Sequence, residues 1–476
     1  MSRYIILYKL KLCKLKKKNV NKTLIFFLFA HLIVWTLVPS VSNTNLPLDT
    51  IEALAWGNEL QFGYHKHPPL SAWFPEFFYQ IFGSQDWAYY FLSQLFVVIS
   101  FIIIFKFSEN FFQNKIYSLL SILLLEGIYF YNFTTPEFNV YVCQLPFWAA
   151  TVYYCWRGIK QNDNISWVLL GVFAGLGMLS FYLTFYLLLS LVLFFIYIIV
   201  KEKRFNYKYL ISLFSFFIIL LPHLIWLVDN DYITINNAIF RSVNDPLSGF
   251  EGSKFLDHLF YPFLFLLKQI SLIIPFVFML LIIVTKFKTK INYRDKKFLF
   301  LISVTILPLI FMFFTSLITG ARIRTMWMTS FYLYTGVLFM YIYQTSINLK
   351  KLKSFFLVFL FLFIFSPIAY YVVSYNQTNQ RTDYPGKEIS ERVQNKWESN
   401  FSNKIEIVVG YGWINGGWFA GNLSYHLESR PKWKTELKDE INIGTIWIQG
   451  FNKIDNCKGV MYQIKPLNDI CMFGKK

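Results

Sequence analysis

Apolar residues in this chain come in long runs, not in amphipathic stripes. Runs of about 18 or more apolar residues read as membrane helices. The pattern predicts spans near 23–42, 87–105, 115–131, 138–156, 165–181, 183–200, 209–228, 267–285, 297–319, 327–345 and 354–375. The fold class is therefore an α-helical polytopic membrane protein of about eleven transmembrane helices. The 165–200 region reads either as two tightly turned helices or as one long helix with a re-entrant piece. From about Asn376 the apolar runs shorten and charges, Gly and Trp appear. There the pattern predicts an amphipathic helix over 387–397, a helix over 413–427, and strands over 404–409, 445–448 and 460–464. A tail of about 100 residues is long enough for a small α/β domain of its own.

The polar positions orient these spans. One set of loops carries Lys14, Lys16, Lys17 and Lys18 with the rest of a basic N-terminus, then Lys106, Arg157, Lys201, Lys203, Arg204, Lys286, Lys296 and Lys350. The alternate set holds only Lys66, Arg241, Lys254, Arg322 and Arg324. The basic side faces the cytoplasm. The expected organisation is a cytoplasmic N-terminus (1–22), a transmembrane domain (23–375) with an outer loop at 43–86, and an extracytoplasmic domain (376–476). The apolar stretch after the basic N-terminus is too long for a typical signal peptide and reads as a retained first helix.

Composition changes the picture little. The chain is 55% hydrophobic with 54 Phe, which a soluble protein does not need. Its net charge of +18 could suggest nucleic acid, but the confinement of that charge to alternate loops argues for a bilayer and against nucleic acid. The five cysteines show no metal spacing. Cys457 and Cys471 lie in the outer tail, flanking a predicted strand and turn, and are expected to form a disulfide.

Candidate chemistry gathers in the first outer loop. Asp49, Glu52, Glu59, Tyr64, His65, Lys66 and His67 fall between the first two spans, followed by Pro68 and Pro69. Ionisable groups beside a bilayer mark a functional site by default. Asp49 also suits the N-cap of a helix over 51–60, and Glu52 lies one turn later on the same face. His65, Lys66 and His67 read as a compact cationic or donor cluster, with Lys66 alternatively a snorkelling interface lysine. Two histidines without further ligands do not read as a zinc site. Glu137, in Thr134-Thr135-Pro136-Glu137, sits at the outer start of the fourth span. It reads either as a site acid or as one favoured by the dipole of that helix. Arg322 and Arg324 suit a lipid-linked phosphate, which Arg grips bidentately, or an anionic headgroup. His223, at the outer end of the seventh span, reads as a satisfied packing histidine.

The stretch Leu48-Asp49-x-x-Glu52-Ala53, Trp56, Gly63-Tyr64 and His67-Pro68-Pro69-Leu70-x-Ala72-Trp73 resembles the first external loop of bacterial glycosyltransferase family 39. That family includes the dolichyl-phosphate-mannose–protein mannosyltransferases and the lipid A aminoarabinose transferase. The resemblance implies GT-C architecture and a sugar donor on a polyprenyl-phosphate carrier. It implies Asp49 as catalytic base, with Glu52 in place of the family's adjacent Glu, which is Thr50 here. It implies contacts to phosphate or sugar from His67, and substrate-binding roles for Tyr64, Lys66, Glu137, Arg322 and Arg324. Where the family has Leu-Ser-Lys-Tyr this chain has Leu179-Ser180-Phe181-Tyr182, so the lysine is missing. The resemblance fixes no cofactor and leaves room for a divalent cation. The implied function is transfer of a sugar, with inversion, to an envelope lipid, glycan or protein on the outer face of a bacterial plasma membrane. The rival is a lipid-linked-sugar flippase without chemistry, which would need polar residues through its helix interiors. The middle helices are nearly free of charge, Glu126 and Lys268 excepted.

Overall fold

A computed structural model describes residues 2–243, 254–287, 292–410, 417–435, 442–448, 457, 459–467 and 469–476. One long helix, α1 (Ser2–Ser42), is followed by two short ones, α2 (Leu48–Gly57) and α3 (Leu70–Phe82), which carry the outer loop. Then come α4 (Asp86–Ser108), α5 (Lys115–Leu123), α6 (Val140–Gln161), α7 (Asn164–Ser180), α8 (Thr184–Glu202) and α9 (Lys208–Asp229). They are followed by α10 (Ile233–Val243), α11 (Lys254–Leu272), α12 (Ile274–Ile283), α13 (Lys296–Thr305), α14 (Leu307–Thr319), α15 (Thr335–Tyr343) and α16 (Leu352–Asn376).

Among the described residues, six segments are helical, long and apolar enough to cross a bilayer: Asn19–Ser42, Asp86–Ser108, Thr184–Glu202, Lys208–Asp229, Lys296–Thr319 and Leu349–Asn376. A seventh is added if Phe255–Leu272 and Ile274–Ile283, bent by 48°, form one span. On α9, Phe214, Ile218, Leu221 and Ile225 are exposed, and on α16 so are Phe361, Ile364, Phe365 and Ile368. Apolar faces of this extent are surfaces that lipid covers.

Several expected spans are interrupted. Over 115–131 the α-helix stops at Leu123, and 3-10 turns occupy Leu124–Gly127 and Tyr129–Tyr131. Gly127 lies against the backbone of α12, where a Cβ would come within 2.6 Å of the Phe276 nitrogen. Over 327–345 a 3-10 helix, Thr325–Tyr332, precedes the short α15. The 165–200 stretch is two helices, α7 and α8, separated by Phe181, Tyr182 and Leu183. Between the expected spans 209–228 and 267–285 lie α10 and most of α11, with 244–253 outside the described residues.

The tail is α/β. α17 (Gly386–Glu398) and α18 (Gly417–His426) accompany five strands, β1 (Ile407–Gly410), β2 (Lys432–Lys434), β3 (Thr445–Ile448), β4 (Val460–Gln463) and β5 (Asp469–Phe473). The strand order is β2-β1-β3-β5-β4. β1 pairs in parallel with β2 and β3, while β5 pairs antiparallel with β3 and β4. Ile389, Val393, Trp397, Val408, Ile446 and Leu467 form its core. The short strands β2 and β5 are additional to those the pattern predicts. Of the helix expected over 413–427, residues 413–416 lie outside the described residues. Cys457 is bonded to Cys471, with Cα atoms 5.7 Å apart, as the tail's spacing predicts. The tail is not detached from the membrane domain. α18 packs on α2 so closely that a Cβ on Gly421 would lie 3.1 Å from Ile51 Cγ2.

Candidate functional site: three acids around a buried lysine

The site is organised by α2. Its N-cap is Pro47, which offers no side-chain cap, and Asp49 falls in the first turn. Asp49 therefore does not cap the helix, contrary to one sequence reading. Glu137 does: its Oε1 accepts the Asp49 backbone N–H at 3.0 Å. Thr50 Oγ1 adds a bond to the Phe138 carbonyl at 3.0 Å. Glu137 thus serves a different helix from the one expected. α6 is capped by Asn139, which accepts from Tyr141 N and Val142 N.

Lys66 turns inward. Its Nζ lies 2.7 Å from Glu52 Oε2 and 3.5 Å from Asp49 Oδ1. Lys66 and Glu52 are buried, whereas the Asp49 side chain is 25% exposed. A snorkelling lysine is excluded by this placement. Charge balance explains it, because buried carboxylates need a cation. Burial still holds the Glu52 carboxyl up at about 7, with Lys66 opposing the shift and the Asp49 charge adding to it. Glu137 is also raised, by burial and then by the charge of Asp49.

Of the cationic and donor readings of the two histidines, the donor one fits their surroundings. Burial pushes His65 down to about 4, and His67 falls well below its ordinary value, with the charges of Lys66 and Arg241 acting in the same direction. At neutral pH both are uncharged, so each ring offers one donor and one acceptor. His67 lines a water-sized cavity with Asp49, Glu52, Trp56, Ser71 and Asn139. Phe181 packs edge-on against His67 at 6.0 Å between centroids.

The loop between α2 and α3 is held from several sides. Tyr64 stacks on Trp56 at 5.6 Å, and its backbone N–H donates to the His67 carbonyl. Thr234 and Asn237 of α10 donate to the carbonyls of Tyr64 and His65. His223 bridges α9 to this loop, with Nδ1 2.6 Å from the Phe62 carbonyl and Nε2 2.7 Å from Tyr182 Oη. It is a satisfied histidine, but one that holds the site. Gly63 passes directly over Trp226, where a Cβ would lie 2.3 Å from the ring.

Beyond Glu137 opens a cavity of about 280 Å³, lined by Glu137, Asn139, Tyr141, Tyr129, Phe133 and Tyr370 among others. Tyr141 lies within electrostatic reach of both Asp49 and Arg324. In the segment leading to the 3-10 helix, Ala321 and Ile323 are buried. Arg322 and Arg324, which alternate with them, are half-buried. The fold thus brings together Asp49, Glu52, Tyr64, Lys66, His67 and Glu137, with Arg324 within electrostatic reach of Tyr141. Sequence reasoning passed over Arg241 as a site residue, although it acts electrostatically on Glu52, His65 and His67. Its one signal was being a basic residue on the depleted face. Among the described residues no group of three or more His, Cys, Asp or Glu is arranged to hold a metal ion. The Lys66 ammonium lies where a cation bridging Asp49 and Glu52 would sit. These residues do not fit a divalent cation.

Comparison with known proteins finds a family match over part of the chain. Residues 66–226 match the family model described as dolichyl-phosphate-mannose-protein mannosyltransferase. No curated protein sequence matches the chain significantly. Among solved structures, ArnT from Cupriavidus metallidurans bound to undecaprenyl phosphate is similar at a TM-score of 0.55 and 11% identity, over 85% of each chain. The apo structure of that protein gives 0.43 at 10% identity, over 86% of this chain and 85% of that one. The archaeal oligosaccharyltransferase AglB from Archaeoglobus fulgidus, in complex with an inhibitory peptide and a dolichol-phosphate, gives 0.42 at 10%, over 86% of this chain and 64% of that one.

Proposed function

We infer that the chain has the GT-C fold, from its likeness to the first of these structures, and the family match over 66–226 supports its resemblance to glycosyltransferase family 39. From that premise we propose that it is a membrane glycosyltransferase. It moves a sugar from a polyprenyl-phosphate donor to a hydroxyl of an envelope lipid, glycan or protein on the outer face of a bacterial plasma membrane. The eleven-span organisation, the division into 1–22, 23–375 and 376–476, and a cytoplasmic N-terminus with an outer C-terminal domain belong to the same proposal. In that arrangement α5 to α7 and the 3-10 segment with α15 complete the bundle as broken or short spans.

The observation that carries the reading is the contrast between two paired acids. Asp49 and Glu52 share Lys66, but only Asp49 is partly exposed. Asp49 is the base. It takes the acceptor proton as the acceptor oxygen bonds to the anomeric carbon and the carbon–oxygen bond to phosphate breaks, with inversion. The polyprenyl phosphate departs with the bonding electron pair. Lys66 does not grip that phosphate directly; it pairs with both Asp49 and Glu52 and so holds the one against the other. His67 donates to the sugar or phosphate as a neutral ring, Tyr64 fixes the loop, and Arg322, Arg324 and Arg241 supply positive charge for the leaving group. Glu137 sets the start of α2.

The test is turnover by the purified protein in nanodiscs with polyprenyl-phosphate sugars, read as released polyprenyl phosphate. Lipid-linked sugar profiles of a deletion strain identify the donor to use. Asp49→Asn is expected to lower the rate by about 10²–10⁴. Transfer at the parent rate by Asp49→Asn overturns the assignment of the base. Transbilayer movement of the donor without release overturns the enzyme in favour of a flippase.

A further inference from the structure

α2 is held at both ends by charged groups from outside it. Glu137 takes the N-terminus, as described. The C-terminal turn is taken by Arg430, which belongs to the tail domain. One Arg430 terminal nitrogen donates to the Leu54 carbonyl of α2 at 2.7 Å and to Glu76 Oε2 of α3 at 2.9 Å. The other donates to the Ser424 carbonyl of α18 at 2.9 Å. The guanidinium lies 3.8 Å over the ring of Tyr79. Arg430 and Glu76 are both nearly buried, their side chains 11% and 6% exposed. From the α2 side, Asn58 Nδ2 donates to the Arg430 carbonyl at 2.9 Å.

These contacts make one guanidinium the meeting point of three helices. A cation at the last turn of a helix is favoured by its unpaired carbonyls and dipole. A planar fork reaches a carbonyl and a carboxylate together, which an ammonium does less well. The approach of α2 to α3 is already tight: a Cβ on Gly57 would lie 2.6 Å from the Ala72 carbonyl oxygen and 2.7 Å from Glu76 Cβ. Among the described residues, Arg430–Glu76 is the ion pair that joins the tail to α3. The geometry points to Arg430 as a positioning residue through which the C-terminal domain sets the placement of α2, and with it Asp49 and Glu52. The tail is then part of the reaction centre's frame and not an appended module. This rests on the proposed role of Asp49. Leu54 is five residues from Asp49, so a shift at one end of α2 reaches the other over roughly 7–8 Å. A misplacement of about 1 Å in a reacting group lowers rates on the order of 100-fold.

The experiment combines hydrogen exchange with kinetics on the full chain in nanodiscs. Arg430→Gln is expected to raise exchange at the amides of 50–57, to lower kcat by about 10–100-fold, and to leave the donor KM within about twofold. Arg430→Lys is expected to fall between parent and Arg430→Gln in both measurements. Glu76→Gln, which keeps an oxygen acceptor, is expected to loosen α2 less than Arg430→Gln. Unchanged exchange in α2 overturns the link itself. Raised exchange with parent kcat, or equal losses in Arg430→Lys and Arg430→Gln, overturns the positioning role. If the parent turns over no donor while exchange in Arg430→Gln still rises, the link stands and the proposed function fails. Were Arg430→Gln not to fold, Arg430→Lys carries the same two measurements.

Discussion

Glu137 Oε1 accepts the backbone N–H of Asp49 at 3.0 Å, so an acid at the edge of α6 starts the helix that carries the other two acids. Pro47 at the N-cap has no side-chain acceptor to offer, and a carboxyl oxygen from outside takes one of the unpaired N–H groups of the first turn. Glu137→Ala is expected to cost about 0.5–2 kcal/mol, as loss of a cap does, and to lower turnover by freeing the first turn of α2. Glu137→Gln retains an oxygen acceptor and should recover most of the thermal stability. Equal melting temperatures for Glu137→Ala and the parent in detergent would show that α2 does not depend on this cap.

Lys66 carries a second expectation. It neutralises Glu52 and Asp49 from a buried position, and truncating one partner of a buried pair typically costs about 3–5 kcal/mol. The partial exposure of Asp49 moderates that cost, because water screens its share. Lys66→Met should therefore destabilise strongly, and adding Glu52→Gln should restore part of the loss by removing the stranded charge. Additive losses in the double variant, read by a thermal double-mutant cycle, contradict the pairing.

The sequence made some of this legible and not the rest. The long apolar runs were readable because a bilayer demands them. The interruptions at Leu124–Gly127 and Thr325–Tyr332 were not; beside them Gly127 and Gly336 lie close against the backbone of segments far away in the chain, which no local pattern shows. The loop motif placed Asp49, Glu52, Tyr64, Lys66 and His67 together because they are close in sequence. It did not reveal that Lys66 points inward, since that depends on the summed charge of acids brought in by folding. Arg430 and Arg241 were invisible as neighbours of the site for the same reason: each arrives from another part of the chain. The disulfide was legible from the predicted strand and turn between its cysteines, a local feature.

The pH dependence follows from Glu52. Its carboxyl is raised from an ordinary 4.5 to about 7, first by burial. The folded state therefore holds this proton more tightly than the unfolded chain. Its contribution to stability is fully present below about 4.5 and is lost as pH rises through about 7. Glu52→Gln cannot lose that proton. The parent should lose melting temperature relative to Glu52→Gln between pH 5 and 8, whatever constant offset the lost Lys66 contact brings. Parallel profiles over this range mean that Glu52 does not titrate there. Activity should follow a different course if Asp49 is the base, so a rate profile tracking the Glu52 titration would shift the assignment to Glu52.

The last expectation joins the tail's chemistry to its side of the membrane. Cys457 and Cys471 are bonded across a sequence separation of 14, while Cys143 and Cys155 are free and buried in the membrane domain. Disulfides persist outside the cytoplasm and rarely within it, so the bond and the proposed outer placement stand together. Alkylation of the folded protein without reductant should leave Cys457 and Cys471 unmodified, and mass spectrometry should recover their peptides as one linked species. Closing a loop of this length stabilises by about 3 kcal/mol in the chain-entropy model. Cys457→Ser with Cys471→Ser should lower the stability of the tail by up to that amount. Because α18 packs on α2, the same variant should also become more sensitive to protease at the junction between the two domains. A tag fused after Lys476 should be reached by an impermeant reagent in intact spheroplasts, and one at Met1 should not. If both cysteines are alkylated without reductant and the Lys476 tag is shielded, the bond and the outer placement fail together. A reduced pair with an accessible tag removes only the bond.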